Sequence, residues 1–212
     1  MTQIDPNGKI DHLVYGVLDL QKVVDEIEQQ TGVRPAEGGR HVGRGTRNYL
    51  LGLSPTSYLE IIALDDENPV AADQTVAFGL DALQRDRMIT WAVHPSDIDG
   101  ALVKSRRHGA DHGKLAPMSR VDGAGNELEW TIAVSEELPL DGLAPFLIDW
   151  GTSTHPAASG IPTAELADLV ITSPDADALN ALYDDLRLNV KAQPGERAMH
   201  ATITGPKGSI TL

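Results

Sequence analysis

The 212-residue sequence predicts an α+β fold made of repeated β-α-β-β-β modules with their helices on an outer face. A strand-like apolar run, an aspartate-bearing turn and an amphipathic helix recur three times, with the turn aspartates Asp19, Asp97 and Asp175 in matching places. Short strand-like runs follow each helix, and no apolar stretch nears the roughly 20 residues that a membrane helix requires.

In the first copy, residues 10–17 read as a strand and Asp19 as a helix N-cap. Leu20, Val23, Val24 and Ile27 then share one helical face until Gly32 ends the helix. Strands near 48–53 and 58–64 complete the unit. The second copy has a strand at 88–93, a turn at Asp97, a helix ending at Gly109, and strands at 128–134 and 146–150. The run Asp122-Gly123-Ala124-Gly125-Asn126 is a strong turn signal ahead of its later strands. The third copy is shortest, with strands at 166–171, 199–204 and 209–212 around a helix carrying Leu179, Leu182, Tyr183 and Leu186. Of the two connections, 65–87 is expected to hold a short helix over 76–83. The other, 151–163, is rich in Pro, Gly, Ser and Thr and reads as a linker.

Composition narrows the function. With 31 acidic against 17 basic residues the formal charge is −14, which argues against nucleic acid or an anionic membrane as partner. The absence of cysteine removes disulfides, thiolate metal sites and thiol catalysis, and suits a reducing cytosol. The first nine residues lack the basic start and apolar core of a signal peptide, so a soluble cytoplasmic protein is expected.

The segment from Gly38 to Leu50 is too glycine-rich and too polar to be framework. It reads either as one wall of a ligand cleft, with Arg40, Arg44 and Arg47 able to meet a carboxylate or phosphate, or as a glycine-rich hairpin with solvated arginines. Strand alternation puts His12 with Val14 and Gly16 on one face, opposite Asp11, Leu13 and Tyr15. Tyr58, Glu60 and Ile62 likewise share a face, so neighbouring strands would bring His12 and Glu60 together. Imidazole with carboxylate suits a divalent metal such as Zn, Mn, Ni or Fe, or forms a buried His–Glu pair. His41 is a third candidate ligand, a substrate partner or a general base. His94, His108, His112, His155 and His200 have no ligand spacing and are read as structural. Trp150 is read as core filler, while Trp91 and Trp130 divide between core and pocket lining.

Together, Ile10-Asp11-His12-Leu13-Val14, Gly38-Gly39-Arg40-His41, Gly45-Thr46-Arg47-Asn48, Tyr58-Leu59-Glu60-Ile61, Ser119-Arg120 with Leu128-Glu129-Trp130, and Phe146-Leu147-Ile148-Asp149-Trp150 resemble the vicinal oxygen chelate superfamily, in its glyoxalase-like domain branch. The resemblance implies curled mixed sheets around a cleft. It implies a glyoxalase-like domain over 8–156, from modules 8–66 and 87–151, with a shorter βαβ-type module over 163–212 packed on it. First-strand and last-strand residues supply metal ligands in that superfamily, which points to His12 and Glu60, with His41 as a further ligand. The second module departs from the pattern, with Thr90 at the histidine position and Asp149 near the glutamate position; the third offers Asp168 and Thr211.

The expected function is a metal-dependent lyase, isomerase or dioxygenase acting on a small oxygen-rich or anionic molecule. Glu60 and His41 would be its catalytic residues, and Arg44, Asn48, Arg120 and Trp130 would contact substrate. The alternative is a metal-free protein that binds or sequesters a small molecule in the same cleft. A homodimer is an optional assembly, with the third copy as its surface or as a lid.

Overall fold

The computed structural model describes residues 10–41, 43–71, 74–121 and 127–212, and the side chains of Arg120, Val121 and Glu127 lie outside that description. The expected turn at 122–126 lies outside the described residues. The fold is mixed α+β. Strands β1 (Ile10–Gly16), β2 (Ala36–His41), β3 (Thr46–Ser54), β4 (Ser57–Leu64), β5 (Arg87–Val93), β6 (Ala116–Val121), β7 (Glu127–Ala133) and β8 (Phe146–Asp149) form one sheet in the order β2-β3-β4-β1-β5-β8-β7-β6. A second sheet has the order β10-β9-β11-β12, from β9 (Glu165–Ser173), β10 (Ala192–Pro194), β11 (Ala198–Gly205) and β12 (Gly208–Thr211).

The large sheet is two related halves joined back to back. In each half the first strand runs parallel to the last, β1 with β4 and β5 with β8, and the halves meet where β1 and β5 pair antiparallel. The sheet curls until β2 and β6, its two edges, come into contact.

Helix α1 (Leu20–Thr31) forms where the spacing demands. Asp19 accepts from the Lys22 N–H at 3.0 Å, and Gly32 ends the helix in the left-handed region at φ 78°. Its Leu20, Val23, Val24 and Ile27 are buried, each by about 1.5–3 kcal/mol of apolar burial. Helix α2 (Ile98–Arg107) is capped alike, Asp97 accepting from Gly100 N–H at 2.9 Å. Helix α3 (Ala176–Asp185) differs: Asp175 makes no side-chain cap, and its own N–H donates to Ser173 Oγ at 3.0 Å.

A large core joins the convex face of the big sheet to the helices and the small sheet. It contains Leu13, Ile27, Leu59, Ile61, Trp91, Leu147, Tyr183 and Ile203. Trp91 belongs here as filler, its Nε1–H donating to the Leu143 carbonyl at 2.8 Å. A separate cluster lines the concave side, with Val14, Tyr58, Ile62, Phe146, Ile148 and Trp150. Asp168 pairs with Thr202 in the small sheet and does not line the concave side.

Three strands exceed the apolar pattern. β2 was obscured by its glycines, β6 by its polar composition, and β10 by its length of three residues. The helix expected over 76–83 is two tight turns across Ala77–Ala82, because Phe78 and Gly79 take φ of 60° and 64°. A left-handed phenylalanine costs about 1–2 kcal/mol. The turn swings its ring to 5.8 Å from Phe146 over the concave face. No helix among the described residues is long and apolar enough to cross a membrane.

His112 is buried, and neither ring nitrogen finds a hydrogen-bond partner among the described residues. Burial pushes its pKa down from 6.5 to about 4, against the opposing pull of Asp111. The unfolded chain therefore takes up a proton at a higher pH than the folded chain, and stability falls as pH drops from about 6.5 to about 4. The loss at the acid end is of the order of 3 kcal/mol. Urea denaturation at about pH 7.5 and about pH 4.5 should show this loss in the wild type and much less of it in His112→Phe. Equal losses in both proteins would rule the histidine out as the cause.

Candidate functional site

The concave side of the large sheet holds a cavity of about 240 Å³ whose lining includes His12, His41, Arg44, Asn48, Glu60, Lys114, Phe146 and Trp150. Parallel pairing of β1 with β4 sets His12 beside Tyr58 and Val14 beside Glu60, so both polar side chains face the cavity. The His12 ring stacks on Tyr58 at 4.6 Å and meets the edge of Phe146 at 5.3 Å.

A register shift in the β1–β5 pair places one β5 residue opposite two on β1, between Ile10 and His12. This bulge reverses one expectation. Asp11 does not stay on the face of Leu13 and Tyr15 but turns toward the cavity residues. Its Oδ1 lies 2.6 Å from His12 Nδ1, and its Oδ2 accepts from Trp150 Nε1–H at 2.9 Å and His155 Nε2 at 3.2 Å. Asp11 is 2% exposed, and His94 Nδ1 stands 4.0 Å from the same oxygen. Burial alone would raise this carboxyl; the hydrogen bonds and charges of His12 and His155 outweigh it and hold it well below the usual carboxylate range.

Partners assign the ring protons. His155 Nδ1 accepts from the Ala157 N–H at 3.1 Å, so its Nε2 is the protonated nitrogen that donates to Asp11. His12 donates through Nδ1 to the carboxylate, which leaves Nε2 as an acceptor directed into the cavity. Glu60 Oε2 lies 3.9 Å from that nitrogen.

Glu60 is fixed from the other side. Asn48 Nδ2 donates to Glu60 Oε1 at 2.6 Å and also lies 3.3 Å from His41 Nε2. An amide NH₂ cannot accept, so His41 Nε2 is the acceptor and its Nδ1 donates to Thr46 Oγ1 at 2.8 Å. The glycine segment makes this possible: a Cβ on Gly38 would stand 2.2 Å from Asn48 Oδ1. The segment is a hairpin whose arginines part company. Arg40 pairs with Asp65 at 2.6 Å and Arg47 lies 3.8 Å from Glu37, whereas Arg44 lines the cavity beside Met118.

Of the residues singled out from sequence, His12, His41, Arg44, Asn48, Glu60 and Trp130 all line this one cavity. Arg120 lies on β6, with its side chain outside the described residues. Asp11, Trp150 and His155 were missed as site residues. The Trp150 ring lies 5.3 Å from that of Trp130 and walls the cavity, so it is not simple core filler. His155 comes from the presumed linker, invisible without knowing that 151–163 folds back over β4.

The donor set does not fit a closed metal shell. Matching β1–β4 to β5–β8 by register puts Thr90 where His12 stands and Phe146 where Glu60 stands. Asp149, thought near the glutamate position, instead lies 3.4 Å from His94 Nε2. His41, the expected third ligand, is turned to Asn48 and Thr46. Donor atoms around zinc at about 2.1 Å stand roughly 3–3.5 Å apart. Here both histidine-to-Glu60 separations are 3.9 Å, and no group of three or more His, Cys, Asp or Glu among the described residues could hold a metal ion.

A family model described as a glyoxalase-like domain matches residues 10–187. A hypothetical protein from Staphylococcus aureus is similar in structure at 14% identity, over 95% of this chain and 83% of its own, with a TM-score of 0.59. A mutant of 4-hydroxymandelate synthase from Streptomyces coelicolor aligns over 100% of this chain and 63% of its own, at 14% identity and a TM-score of 0.51. Methylmalonyl-CoA epimerase from Mycobacterium tuberculosis aligns over 68% of this chain and 91% of its own, at 16% identity and a TM-score of 0.42. At such identities the likeness is one of fold. No curated protein sequence matches the chain.

Replacing one Asp11 oxygen by an amide NH₂ should set donor against donor and leave at least one of its three N–H partners unpaired. Asp11→Asn is expected to cost about 3 kcal/mol or more in denaturant unfolding at neutral pH. Because the folded-state pKa is depressed, that contribution is present above the unfolded value of about 3.9 and is lost as pH falls below it. The gap between variant and wild type should therefore narrow in acid. A gap under about 1 kcal/mol at neutral pH would show that the carboxylate does not organise the site.

Proposed function

The chain belongs to the glyoxalase-like domain family, within the vicinal oxygen chelate superfamily, and from that premise we propose that it is an enzyme of the lyase or isomerase kind that moves a proton on a small molecule held in the cleft. One observation carries the reading: a buried carboxylate, Asp11, grips His12 Nδ1 at 2.6 Å and leaves Nε2 facing the cavity. This is the arrangement by which a carboxylate orients an imidazole base and stabilises the imidazolium formed when it takes a proton.

The chemistry follows from the residues. A C–H next to an electron-withdrawing group, presented to His12, gives its proton to Nε2. The electron pair moves toward the substrate oxygen, and Nε2 returns the proton to the same carbon or a neighbouring one. Glu60 Oε2, 3.9 Å from Nε2, orients the reacting group and is the second candidate base. His41 acts through Asn48, holding the amide that holds Glu60, and is a positioning residue in this reading. Trp130, Phe146, Ile148 and Trp150 enclose the apolar part of the substrate and keep water from the reacting carbon.

No step is routed through a metal, whose shell the donor set does not complete. The metal-free binding protein is the second reading, favoured by the same donor set. The two differ in turnover.

Metal-stripped protein incubated in D₂O with a panel of small carbonyl compounds should exchange a C–H for deuterium on at least one of them, followed by proton NMR. The exchange should persist in chelator and fall about 10²-fold or more in His12→Asn. Exchange that appears only after a divalent metal is added, or that survives loss of His12, would refute the proton-transfer reading.

A further inference from the structure

Two buried carboxylates have unequal support: Glu60 lines the cleft, and Asp11 stands behind His12 without lining it. Asp11 is met by His12, Trp150 and His155. Among the described residues the carboxylate of Glu60, 7% exposed, receives a hydrogen bond only from the Asn48 amide, and no lysine or arginine lies within ion-pair distance of it. His12 and His41 each hold Nε2 3.9 Å from a Glu60 oxygen, beyond hydrogen-bond reach. A carboxylate held away from water without a cation is costly. The rings of Tyr58, Phe146 and Trp150 line the same cavity, and an aromatic face attracts a cation.

The rim has the opposite sign. The exposed charged residues lining the cavity are Arg44 and Lys114, and apart from Glu60 no acid lines it among the described residues. In a chain with 31 acidic and 17 basic residues that is a local reversal. Among the described residues the Arg44 guanidinium donates one hydrogen bond, to the Met118 sulfur, a weak acceptor readily surrendered to an anion.

We propose that the ligand of this cleft is a dipolar molecule, with a cationic amino group seated on Glu60 and an anionic group at the rim between Arg44 and Lys114, joined by an apolar, preferably aromatic body. The inference rests on the cleft being a small-molecule site as described above, and it names what the site selects. Glu60 Oε2 and His12 Nε2 are 3.9 Å apart, so a nitrogen bonded to the carboxylate would bring the C–H beside it into the neighbourhood of the base. A cationic nitrogen also acidifies the C–H beside it, so the binding group and the proposed chemistry reinforce each other.

The test measures binding alone, by calorimetry on the full-length, chelator-dialysed chain, with four rigid probes: 4-(aminomethyl)benzoate, 4-methylbenzoate, benzylamine and 4-(hydroxymethyl)benzoate. The dipolar probe should bind about tenfold or more tighter than each of the others. Glu60→Gln should abolish its advantage over 4-methylbenzoate. Arg44→Ala, at an exposed position where folding is not at stake, should abolish its advantage over benzylamine. A hydroxymethyl or methyl probe that binds as well as the amine, or no saturable binding by any probe, would overturn the proposal. So would saturable binding of Zn²⁺ or Mn²⁺ that is lost in Glu60→Gln and displaces the amine. Binding of the dipolar probe in a protein that exchanges no C–H would sink the proton-transfer reading and leave this inference standing; exchange without amine selectivity would do the reverse.

Discussion

Everything at the floor of the cleft depends on one buried carboxylate. Where β1 bulges against β5, Asp11 turns to the back of the cavity-lining residues and collects N–H groups from three parts of the chain: His12 on its own strand, Trp150 just after β8, and His155 beyond it. A single charge therefore ties the first half of the large sheet to the second and to the connection that follows. It also fixes which nitrogen of His12 meets a carboxylate. With Nδ1 committed to Asp11, the lone pair on Nε2 has nowhere to point but the cleft.

The sheet is nearly symmetric, while its chemistry belongs to one half. Corresponding register positions carry His12 and Glu60 in the first module and Thr90 and Phe146 in the second. The second module thus contributes a wall instead of ligands: Phe146 stands edge-to-face with the His12 ring, and Trp130, Ile132 and Ile148 continue the apolar surface. That division produces a site with a polar floor, an aromatic flank and a cationic rim, a polarity that a symmetric four-ligand centre would lack. The hairpin of β2 and β3 completes it through the hydrogen-bonded series Glu60, Asn48, His41 and Thr46, which Gly38 permits by leaving room for the amide.

The modules were legible because their signals are local and periodic. Asp19 and Gly32 bracket α1 as capping chemistry requires, and alternation in β4 puts Tyr58, Glu60 and Ile62 on the cavity face. The convergence of His12 and Glu60 followed once their strands were assumed to be neighbours. What alternation could not show was the bulge at Asp11, since an extra residue shifts the count without leaving a mark in composition. Nor could composition distinguish His155 in a Pro- and Ser-rich connection from any solvated histidine, or separate Arg44 from Arg40 and Arg47, whose carboxylate partners come from elsewhere in the chain. Phe78 was misjudged for a related reason, because a helical apolar pattern hid a left-handed turn that places an aromatic ring over the cleft.

The central claim is that Asp11 fixes the tautomer of His12, and long-range proton–nitrogen NMR of the ¹⁵N-labelled histidine rings reads it directly. The expected result is that the neutral His12 ring carries its proton on Nδ1, and that the Nδ1 signal loses its strongly hydrogen-bonded character in Asp11→Asn. A His12 ring protonated on Nε2 alone, or one unchanged by the substitution, would contradict it.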